Sequence, residues 1–275
     1  MSLAFTSPQR RSLRAISVSM VLLALVFIAS CKKDDDTTDT PPGNNPPTPG
    51  TLVGGIDQEG DAFTSVIIGS QEWMSENLSV ASYTDGTPIP HITNPAELYL
   101  LTSGAWCWYN NDSATYAAIY GRLYNWYAVA GIYNAESETN PSLRKQLAPI
   151  GWHVPSDAEW STMINFLDST AAGGSNTPNT VGGMMKTMGT IEAGTGLWFA
   201  PNEMASNESG FSAIPGGYRS NLGDYMFSGY YAKWWCSSEI DSSLAWNRIV
   251  SSYYDSAIRD FNGKRYCLSV RCVRD

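Results

Sequence analysis

The sequence predicts an α+β fold in which two or three helices flank a small, irregular antiparallel sheet. Helix signals concentrate in the first half of residues 51–275, whereas short strands between Gly, Asn and Ser turns dominate from Trp198 onward. Ten Trp and 15 Tyr beside 24 Gly favour a loop-rich structure with rings packed between irregular segments. This order of elements argues against a parallel α/β sheet.

The first elements have clear local signals. Residues 61–74 are rich in β-branched side chains and contain a Gly69-Ser70 turn, which predicts a hairpin. Asn94 followed by Pro95 predicts a helix start, because Asn caps free backbone N–H groups and Pro suits the first helical position.

The next segment also favours a helix. Residues 116–130 contain many helix formers, and Ile119, Leu123, Trp126 and Tyr127 would share one helical face. We therefore expect one amphipathic helix across this range.

A capping box at Ser156 and Glu159 begins the clearest amphipathic helix. Its apolar positions are spaced i, i+3, i+4 and i+7 and are Trp160, Met163, Ile164 and Leu167. A short helix is expected over 181–188. The last strand is expected over 266–273, because apolar and polar residues alternate there.

The N-terminus resembles a bacterial lipoprotein signal. Residues 1–15 carry three Arg and no acid, and an uncharged apolar run follows over 16–29. That run is shorter than the roughly 20 residues of a spanning helix. The sequence Ile28-Ala29-Ser30-Cys31 resembles a lipobox, so we expect cleavage after residue 30 and lipid on Cys31. Several acyl chains would make a durable membrane anchor.

Residues 31–50 are expected to form a disordered tether, because they offer almost nothing apolar to bury. The acidic cluster at 34–36 resembles the surface-export signal of lipoproteins in the Bacteroidetes. It favours an outer-membrane protein on the cell surface, anchored by lipid. A plain solvated charge run is the alternative, which leaves open whether the domain faces the periplasm or the exterior.

The net charge of the chain argues against one class of partner. Removing residues 1–30 removes three of 17 Lys and Arg and none of 26 Asp and Glu, so the formal charge falls from −9 to −9 − 3 = −12. Such a chain repels nucleic acid at long range, and no nucleic-acid partner is expected. Residues 51–275 are long enough for one domain with a substantial core.

Four further cysteines suggest disulfides in an exported protein: Cys107, Cys236, Cys267 and Cys272. Their spacing matches no zinc pattern, and four cysteines allow three pairings. Cys267 and Cys272 lie in the same expected strand and are not expected to pair together. The preferred pairing is Cys107 with Cys272 and Cys236 with Cys267.

Several ordered stretches resemble one known family. They are IGSQEWMSENL at 68–78, WYNND at 108–112, GRLYNW at 121–126, GWHVPS at 151–156, GFSAIPGGYR at 210–219, WWCSS at 234–238 and SVRCVRD at 269–275. Together they resemble the Fibrobacter succinogenes major paralogous domain. The resemblance implies an exported or lipid-anchored protein and a C-type-lectin-like or formylglycine-enzyme-like fold. The family has no established activity, so the resemblance does not indicate a reaction.

One position departs from that family pattern. Members often carry cysteine in a Cys-Pro-x-Gly-Trp motif, where this chain has Ala148-Pro149-Ile150-Gly151-Trp152. The usual disulfide at that position is therefore expected to be missing.

The sequence offers little for catalysis, and no enzyme, metal site or cofactor is expected. Its two histidines, His91 and His153, are interpreted as structural, and no Gly-x-Ser-x-Gly elbow is present. Glu159 and Glu208 are interpreted as a cap and a loop acid. Lectin-type calcium motifs are absent, and Arg248 stands where an anionic ligand is needed.

Ligand binding by aromatic side chains is the interpretation that remains after catalysis and metal binding. Tyr225, Tyr230 and Tyr231 lie among glycines in a region where lectin-like folds carry ligand loops, whereas Trp234 and Trp235 are expected in the core. The leading hypothesis is a surface-displayed, non-catalytic binding module for glycan or cell-envelope ligands. The alternative is a structural or assembly component of a surface fibre or envelope complex, and the third is an enzyme of unknown reaction.

Overall fold

A computed structural model describes residues 53–174 and 178–275, all within one compact unit. The expected signal peptide 1–30, Cys31 and the tether 31–50 lie outside the described residues. The strands are β1 (Val53–Ile56), β2 (Ala62–Ile68), β3 (Gln71–Met74), β4 (Trp106–Cys107), β5 (Leu123–Asn125), β6 (Trp152–His153), β7 (Tyr218–Arg219), β8 (Tyr225–Met226), β9 (Tyr231–Glu239), β10 (Leu244–Ser251), β11 (Tyr254–Gly263), β12 (Cys267–Leu268) and β13 (Val273–Arg274). The α-helices are α1 (Pro95–Leu100), α2 (Ser113–Tyr120), α3 (Trp126–Val129), α4 (Ala135–Thr139), α5 (Asp157–Leu167) and α6 (Val181–Met185).

Within the described residues the strands form three sheets. Their strand orders are β1-β2-β3-β13-β6, β4-β5-β12-β7-β8 and β11-β10-β9. The pairs inside these sheets are antiparallel. Because β13 lies between β3 and β6, strands from both ends of the described chain are joined in one sheet.

Three local predictions are confirmed. β2 and β3 form the expected hairpin, with Gly69 in the left-handed region at φ 64°. The Asn94 side chain accepts from the Ala96 N–H at 3.0 Å at the start of α1. The Ser156 hydroxyl accepts from the Glu159 N–H at 3.2 Å, and the Glu159 carboxylate accepts from the Ser156 N–H at 2.7 Å. These signals succeed because each depends only on neighbours along the chain.

The expected α+β, C-type-lectin-like fold with helices flanking one small sheet is wrong. The molecule is mostly β, with three sheets among its described residues and few helices. The longest described helix, α5, has 11 residues, and the others have four to eight. Short segments rich in rings and helix formers satisfy their backbone groups by pairing as strands, because long-range packing overrides weak helix propensity.

The single helix expected over 116–130 is also wrong. α2 ends at Tyr120, and Gly121 follows at φ 68°. A Cβ at Gly121 would lie 2.9 Å from the Leu78 carbonyl oxygen, so glycine permits a close approach that ends the helix. The next residues form β5, which pairs with β4 and β12. Ile119, expected on the buried face, is exposed.

The last strand is divided. Residues 266–273 were expected to form one strand with alternating burial, but β12 and β13 belong to two different sheets. Every residue from Cys267 to Val273 is buried. Burial on all sides removes the two-residue alternation, since neighbours cover both faces of this segment.

The core is built largely from tryptophan. Trp73, Trp160, Trp198, Trp234 and Trp235 are all fully buried, which confirms the expectation for the last two. Trp234 and Trp235 project from opposite faces of β9 into two different apolar clusters. The three-stranded sheet therefore contributes side chains to two separate apolar clusters.

Buried cations hold the loops that surround these cores. The Lys186 ammonium donates to the carbonyl oxygens of Glu203, Ser251 and Tyr254 at 2.7, 2.8 and 2.9 Å. Burial lowers the pKa of Lys186 to about 8. Three arginine side chains, Arg219, Arg248 and Arg271, are also fully buried. Each donates to backbone carbonyl groups of residues that are distant in the chain.

Candidate functional site

A mixed apolar and polar surface lies on one face of the three-stranded sheet. Strand alternation places Tyr231 and Lys233 on this face of β9. The register with β10 and β11 adds Ile249, Asp260 and Asn262 to the same face. Tyr231, Ile249, Asp260 and Asn262 are only partly buried. Part of this face therefore presents side chains to solvent, although it also carries the fully buried Trp235 ring, and the opposite face carries the buried Trp234 ring.

Four aromatic rings line the edge of this face, and we call them the ring row: Tyr266, Tyr218, Phe227 and Tyr231. Successive ring centroids are 6.2, 5.9 and 4.8 Å apart. The interplanar angles are 37°, 30° and 27°, so neighbouring rings are inclined only moderately to one another. All four are partly or largely exposed. The row is thus a continuous run of rings in which Phe227 is exposed and the three tyrosines are half-buried, with Tyr218 and Tyr266 packed against the core.

The backbone at Phe227 is strained. Its φ is 61°, a left-handed conformation that bulky side chains seldom adopt. The Phe227 carbonyl accepts from the Tyr230 and Tyr231 N–H groups at 3.0 and 2.9 Å, which fixes the turn. Phe227 itself is 41% exposed. A left-handed residue other than glycine costs about 1–2 kcal/mol. Strain of this kind, spent on an exposed ring, is typical of functional sites.

A polar cluster lies directly beside the ring row. The Lys233 ammonium donates to Asp260 Oδ2 at 3.1 Å and to Asn262 Oδ1 at 2.6 Å. It also lies 4.9 Å from the centroid of the Tyr218 ring. Burial lowers the pKa of Lys233, and the Asp260 carboxylate opposes that shift. Burial raises the pKa of Tyr218, so its hydroxyl stays protonated.

This arrangement suits a ligand that has both an apolar face and hydroxyl groups. A ring presents a negatively polarised face to weakly positive C–H groups. Asp260 and Asn262 add acceptor oxygens, and the tyrosine hydroxyls both donate and accept. Lys233 and Asp260 cancel in charge, so the surface offers no net charge to an ionic ligand.

The three tyrosines predicted from sequence do not form one patch. Tyr231 belongs to the ring row. Tyr230 instead stacks between Phe199 at 4.5 Å and Tyr253 at 5.6 Å.

Tyr225 is turned away from both groups. Its hydroxyl donates to Asn111 Oδ1 at 2.7 Å, and the Arg219 guanidinium lies 4.9 Å from its ring. Burial raises the pKa of Tyr225. The prediction of Tyr225 as a ligand-binding residue therefore gains no support from its position.

Sequence reasoning missed most of the ring row. Tyr218 and Tyr266 come from other segments, and only the fold brings them to Tyr231. Two signals were available: Lys233 lies two residues after Tyr231 on an expected strand, and Phe227 precedes a Ser-Gly turn. The first predicts a shared sheet face, and the second predicts an exposed ring at a turn.

All four cysteines are buried free thiols. The predicted pairs, Cys107 with Cys272 and Cys236 with Cys267, are not formed. Cys107 and Cys267 occupy one apolar cluster, whereas Cys236 and Cys272 lie in two others. The pairing prediction failed because positions along the chain do not reveal which strands become neighbours.

Both histidines contact side chains that hold them in place. His91 stacks on Trp106 with centroids 4.2 Å apart. In His153, Nδ1 lies 2.7 Å from Asp275 Oδ1 and Nε2 lies 2.7 Å from Glu159 Oε1. Only the protonated ring donates from both nitrogens. Burial favours a lower pKa for His153, but the two carboxylates outweigh it and raise the pKa above 6.5.

This raised pKa predicts a stabilising contribution in mild acid. The contribution is complete below the unfolded-state pKa and is lost as the pH rises through the folded-state pKa. Replacing His153 with Gln should therefore destabilise the protein most near pH 6 and least above pH 8. The cost should reach about 1 kcal/mol at most, because the pair is partly exposed. Urea unfolding of both proteins at several pH values measures it.

His91→Gln is the matched control. The pKa of His91 is lowered, by burial first and then by Arg122 and Arg219. Its removal should therefore bring no loss of stability that grows toward pH 6. A cost of His153→Gln that increased with pH would contradict the assigned role of the carboxylates.

Two further properties concern the described residues only. Among residues 53–174 and 178–275, no three or more His, Cys, Asp or Glu side chains are grouped so that they could hold a metal ion. No helix in the described part of the chain combines the length and apolar character required to cross a bilayer.

Comparison with known proteins yields one match. The family model described as the Fibrobacter succinogenes major domain matches residues 66–274. No curated protein and no solved structure matches the chain. The matched range includes the three-stranded sheet and the entire ring row.

Proposed function

The chain belongs to the Fibrobacter succinogenes major domain family, and from that premise we propose that its globular part is a non-catalytic binding module for neutral glycans. The ring row is the binding surface, and the polar cluster around Lys233 orients the sugar hydroxyls. Sugar rings stack their C–H faces on aromatic side chains while their hydroxyls take up polar partners.

The observation that carries this proposal is the strained, exposed Phe227. Phe227 combines a left-handed φ of 61° with an exposure of 41%, so the turn holds an aromatic side chain toward solvent. Neighbouring rings at 4.8 and 5.9 Å extend its surface in both directions. A surface of this kind is suited to several consecutive sugar units better than to one small molecule.

Charge supports neutral glycans over acidic ones. The chain carries a formal charge of −9, so an acidic polysaccharide would be repelled at long range. Lys233, which lies over the Tyr218 ring of the row, is already bonded to Asp260 and Asn262. No unpaired positive charge among the described side chains of the polar cluster is available to a carboxylate or sulfate.

We further propose that the module is displayed from a membrane. The apolar run 16–29 and the lipobox ending at Cys31 support export and lipid anchoring, and the polar segment 31–50 supports a tether. The acidic residues 34–36 support the outer face of the outer membrane. A tethered module with an open aromatic surface would hold glycans or envelope material near the cell.

Replacing Phe227 with glycine is the sharpest test. Glycine relieves the left-handed strain of about 1–2 kcal/mol, while the loss of ring contacts and the added chain entropy oppose that gain. Unfolding free energy should change by less than about 1 kcal/mol in total. Affinity for the bound glycan should fall at least about tenfold, or 1.4 kcal/mol. Calorimetry against a panel of neutral and acidic polysaccharides measures this.

Tyr99→Ala is the matched control, because Tyr99 is an exposed ring on α1 outside the ring row. It should bind like the unaltered protein. Tyr231→Ala should repeat the loss seen with Phe227→Gly. The proposal would be contradicted if the unaltered protein bound none of the neutral polysaccharides, or if the Phe227→Gly protein kept full affinity.

A further inference from the structure

Exposed apolar side chains gather around the turn that joins β10 to β11. Tyr253 lies in this turn and is 48% exposed, Tyr254 begins β11 and is 58% exposed, and Met204 is 69% exposed. Their backbone segments adjoin, because the Glu203 N–H donates to the Ser252 carbonyl at 2.9 Å. Concentrated apolar exposure of this kind is typical of interaction surfaces. With two rings packed beside Tyr253, these residues form what we call the turn patch: Phe199, Met204, Tyr230, Tyr253 and Tyr254.

One buried cation fixes the segments that carry the turn patch. The Lys186 ammonium donates to carbonyl groups of three residues, Glu203, Ser251 and Tyr254, and Lys186 itself is fully buried. The Asn202 side-chain amide adds two further bonds to backbone carbonyls, at 3.0 and 2.9 Å. The patch is therefore ordered before any partner arrives, and an ordered surface loses less conformational entropy on binding.

The chain on either side of Met204 is strained. Asn202, Met204 and Asn207 all have left-handed backbones, with φ of 49°, 52° and 52°. Asn tolerates this conformation, whereas a long side chain such as that of Met seldom adopts it. The strained turn thus holds an apolar side chain toward solvent. Strain at such a position is a reason to expect a binding role.

The composition of the turn patch favours a protein partner. The Tyr230 ring lies 4.5 Å from Phe199 at an interplanar angle of 24°, and 5.6 Å from Tyr253 at 10°. Both faces of Tyr230 are therefore covered, and the exposed groups are two tyrosines and a methionine. Tyr and Met are enriched at the centre of protein interfaces, and the flexible Met side chain adapts to the shape of a partner.

The charge around the patch specifies the partner further. Residues 186–218 and 249–258 carry four acids and one cation, Lys186, so their formal charge is 1 − 4 = −3. Lys186 is buried and bonded, whereas Glu203 is exposed beside Met204, and Asp255 is partly exposed beside Tyr254. Complementary charge across an interface steers association and excludes wrong partners. The patch thus fits apolar side chains that are flanked by Lys or Arg.

We propose that the turn patch is a docking surface for a partner protein that presents apolar side chains flanked by Lys or Arg. The partner covers Met204, Tyr253 and Tyr254, and its cations pair with the Glu203 and Asp255 carboxylates. The patch shares no residue with the ring row, so this docking does not depend on glycan binding.

Photo-crosslinking in the producing cells tests the proposal on the full chain. A benzophenone amino acid replaces Met204 in one protein, Tyr254 in a second and, as the matched control, the exposed Tyr99 of α1 in a third. We expect both patch positions to link to the same protein, through a segment that has Lys or Arg beside apolar residues, and Tyr99 not to link to it. Four results would overturn the proposal: no adduct at the patch, adducts to polysaccharide or lipid alone, equal linking at Tyr99, or a linked segment without Lys and Arg.

The linked protein, once purified, allows a quantitative test. Glu203→Lys should weaken its binding at least about tenfold by placing like charges together, while the Glu203 carbonyl that Lys186 binds is retained. Glu138→Lys, on an exposed residue of α4, changes the net charge equally and should leave the affinity unchanged. Equal weakening by both substitutions would contradict docking at the patch. Glycan binding should be the same in Glu203→Lys as in the unaltered protein, which distinguishes failure of this proposal from failure of the glycan proposal.

Discussion

Replacing Arg271 with methionine should lower the free energy of unfolding by about 3–5 kcal/mol, the loss expected when a buried polar network is broken. The Arg271 side chain is fully buried. It donates to the carbonyls of Met74, Phe211 and Ser212 and to the Asn77 side chain. Methionine fills a similar volume but leaves three carbonyls without this donor, and each orphaned acceptor costs about 1–3 kcal/mol.

The guanidinium also contacts two aromatic rings of the core. Its carbon lies 4.3 Å from the Phe211 ring and 5.7 Å from the Trp234 ring. The residues it joins lie at and just after the end of β3 and before β7, and Arg271 itself lies between β12 and β13. Loss of Arg271 should therefore also lower cooperativity, seen as a broader urea transition.

Arg274→Met is the matched control. Arg274 lies three residues later, is 53% exposed and bonds to Glu72 at 2.9 Å. An exposed ion pair contributes about 0–1 kcal/mol. Equilibrium urea unfolding should thus separate the two arginines by at least about 2 kcal/mol. Equal losses at both positions would refute the role given to the buried network.

Replacing Trp160 with alanine should cost about 3–5 kcal/mol or abolish folding, the range for truncating a large buried ring. Trp160 projects from α5 and is fully buried. Its ring lies 4.7 Å from Trp73, 5.7 Å from Phe211 and 5.9 Å from Trp234. Alanine would leave a cavity that the three surrounding segments cannot close without moving.

Two variants keep this prediction testable. Trp160→Phe should cost clearly less than alanine, since it retains a ring and Trp160 Nε1 has no hydrogen-bond partner among the described residues. Phe166→Ala, on the same helix, should cost under about 1.5 kcal/mol because its ring is 45% exposed. Thermal unfolding measures all three. A Phe166→Ala protein less stable than Trp160→Ala would contradict the assignment of the core.

The site was only partly predictable from the sequence. Tyr231 was predicted because it stands in a ring-rich stretch and lies in the ring row, but Tyr225 stands in the same stretch and packs against Arg219 instead. Tyr218 and Tyr266 lie 13 and 35 residues from Tyr231, by 231 − 218 and 266 − 231. No local pattern links them. Sheet pairing and the turn at Phe227 bring them together.

What the sequence alone determined were features that arise within a few residues. The caps at Asn94 and Ser156, the hairpin turn at Gly69 and the family resemblance all belong to this group. Each reflects hydrogen bonds or backbone preferences between near neighbours, so one window of sequence contains both partners.

The tertiary structure decided the rest. It broke the expected helix at Gly121, because the backbone there packs against residue 78. It divided the last strand between two sheets and replaced a helix-flanked fold by a mostly β one. It also brought Cys107 and Cys267 into one apolar cluster and placed Tyr218 beside Phe227. In each case packing between different segments outweighed the local propensity of the chain. A short window of sequence does not contain both partners, so it could not predict the contact.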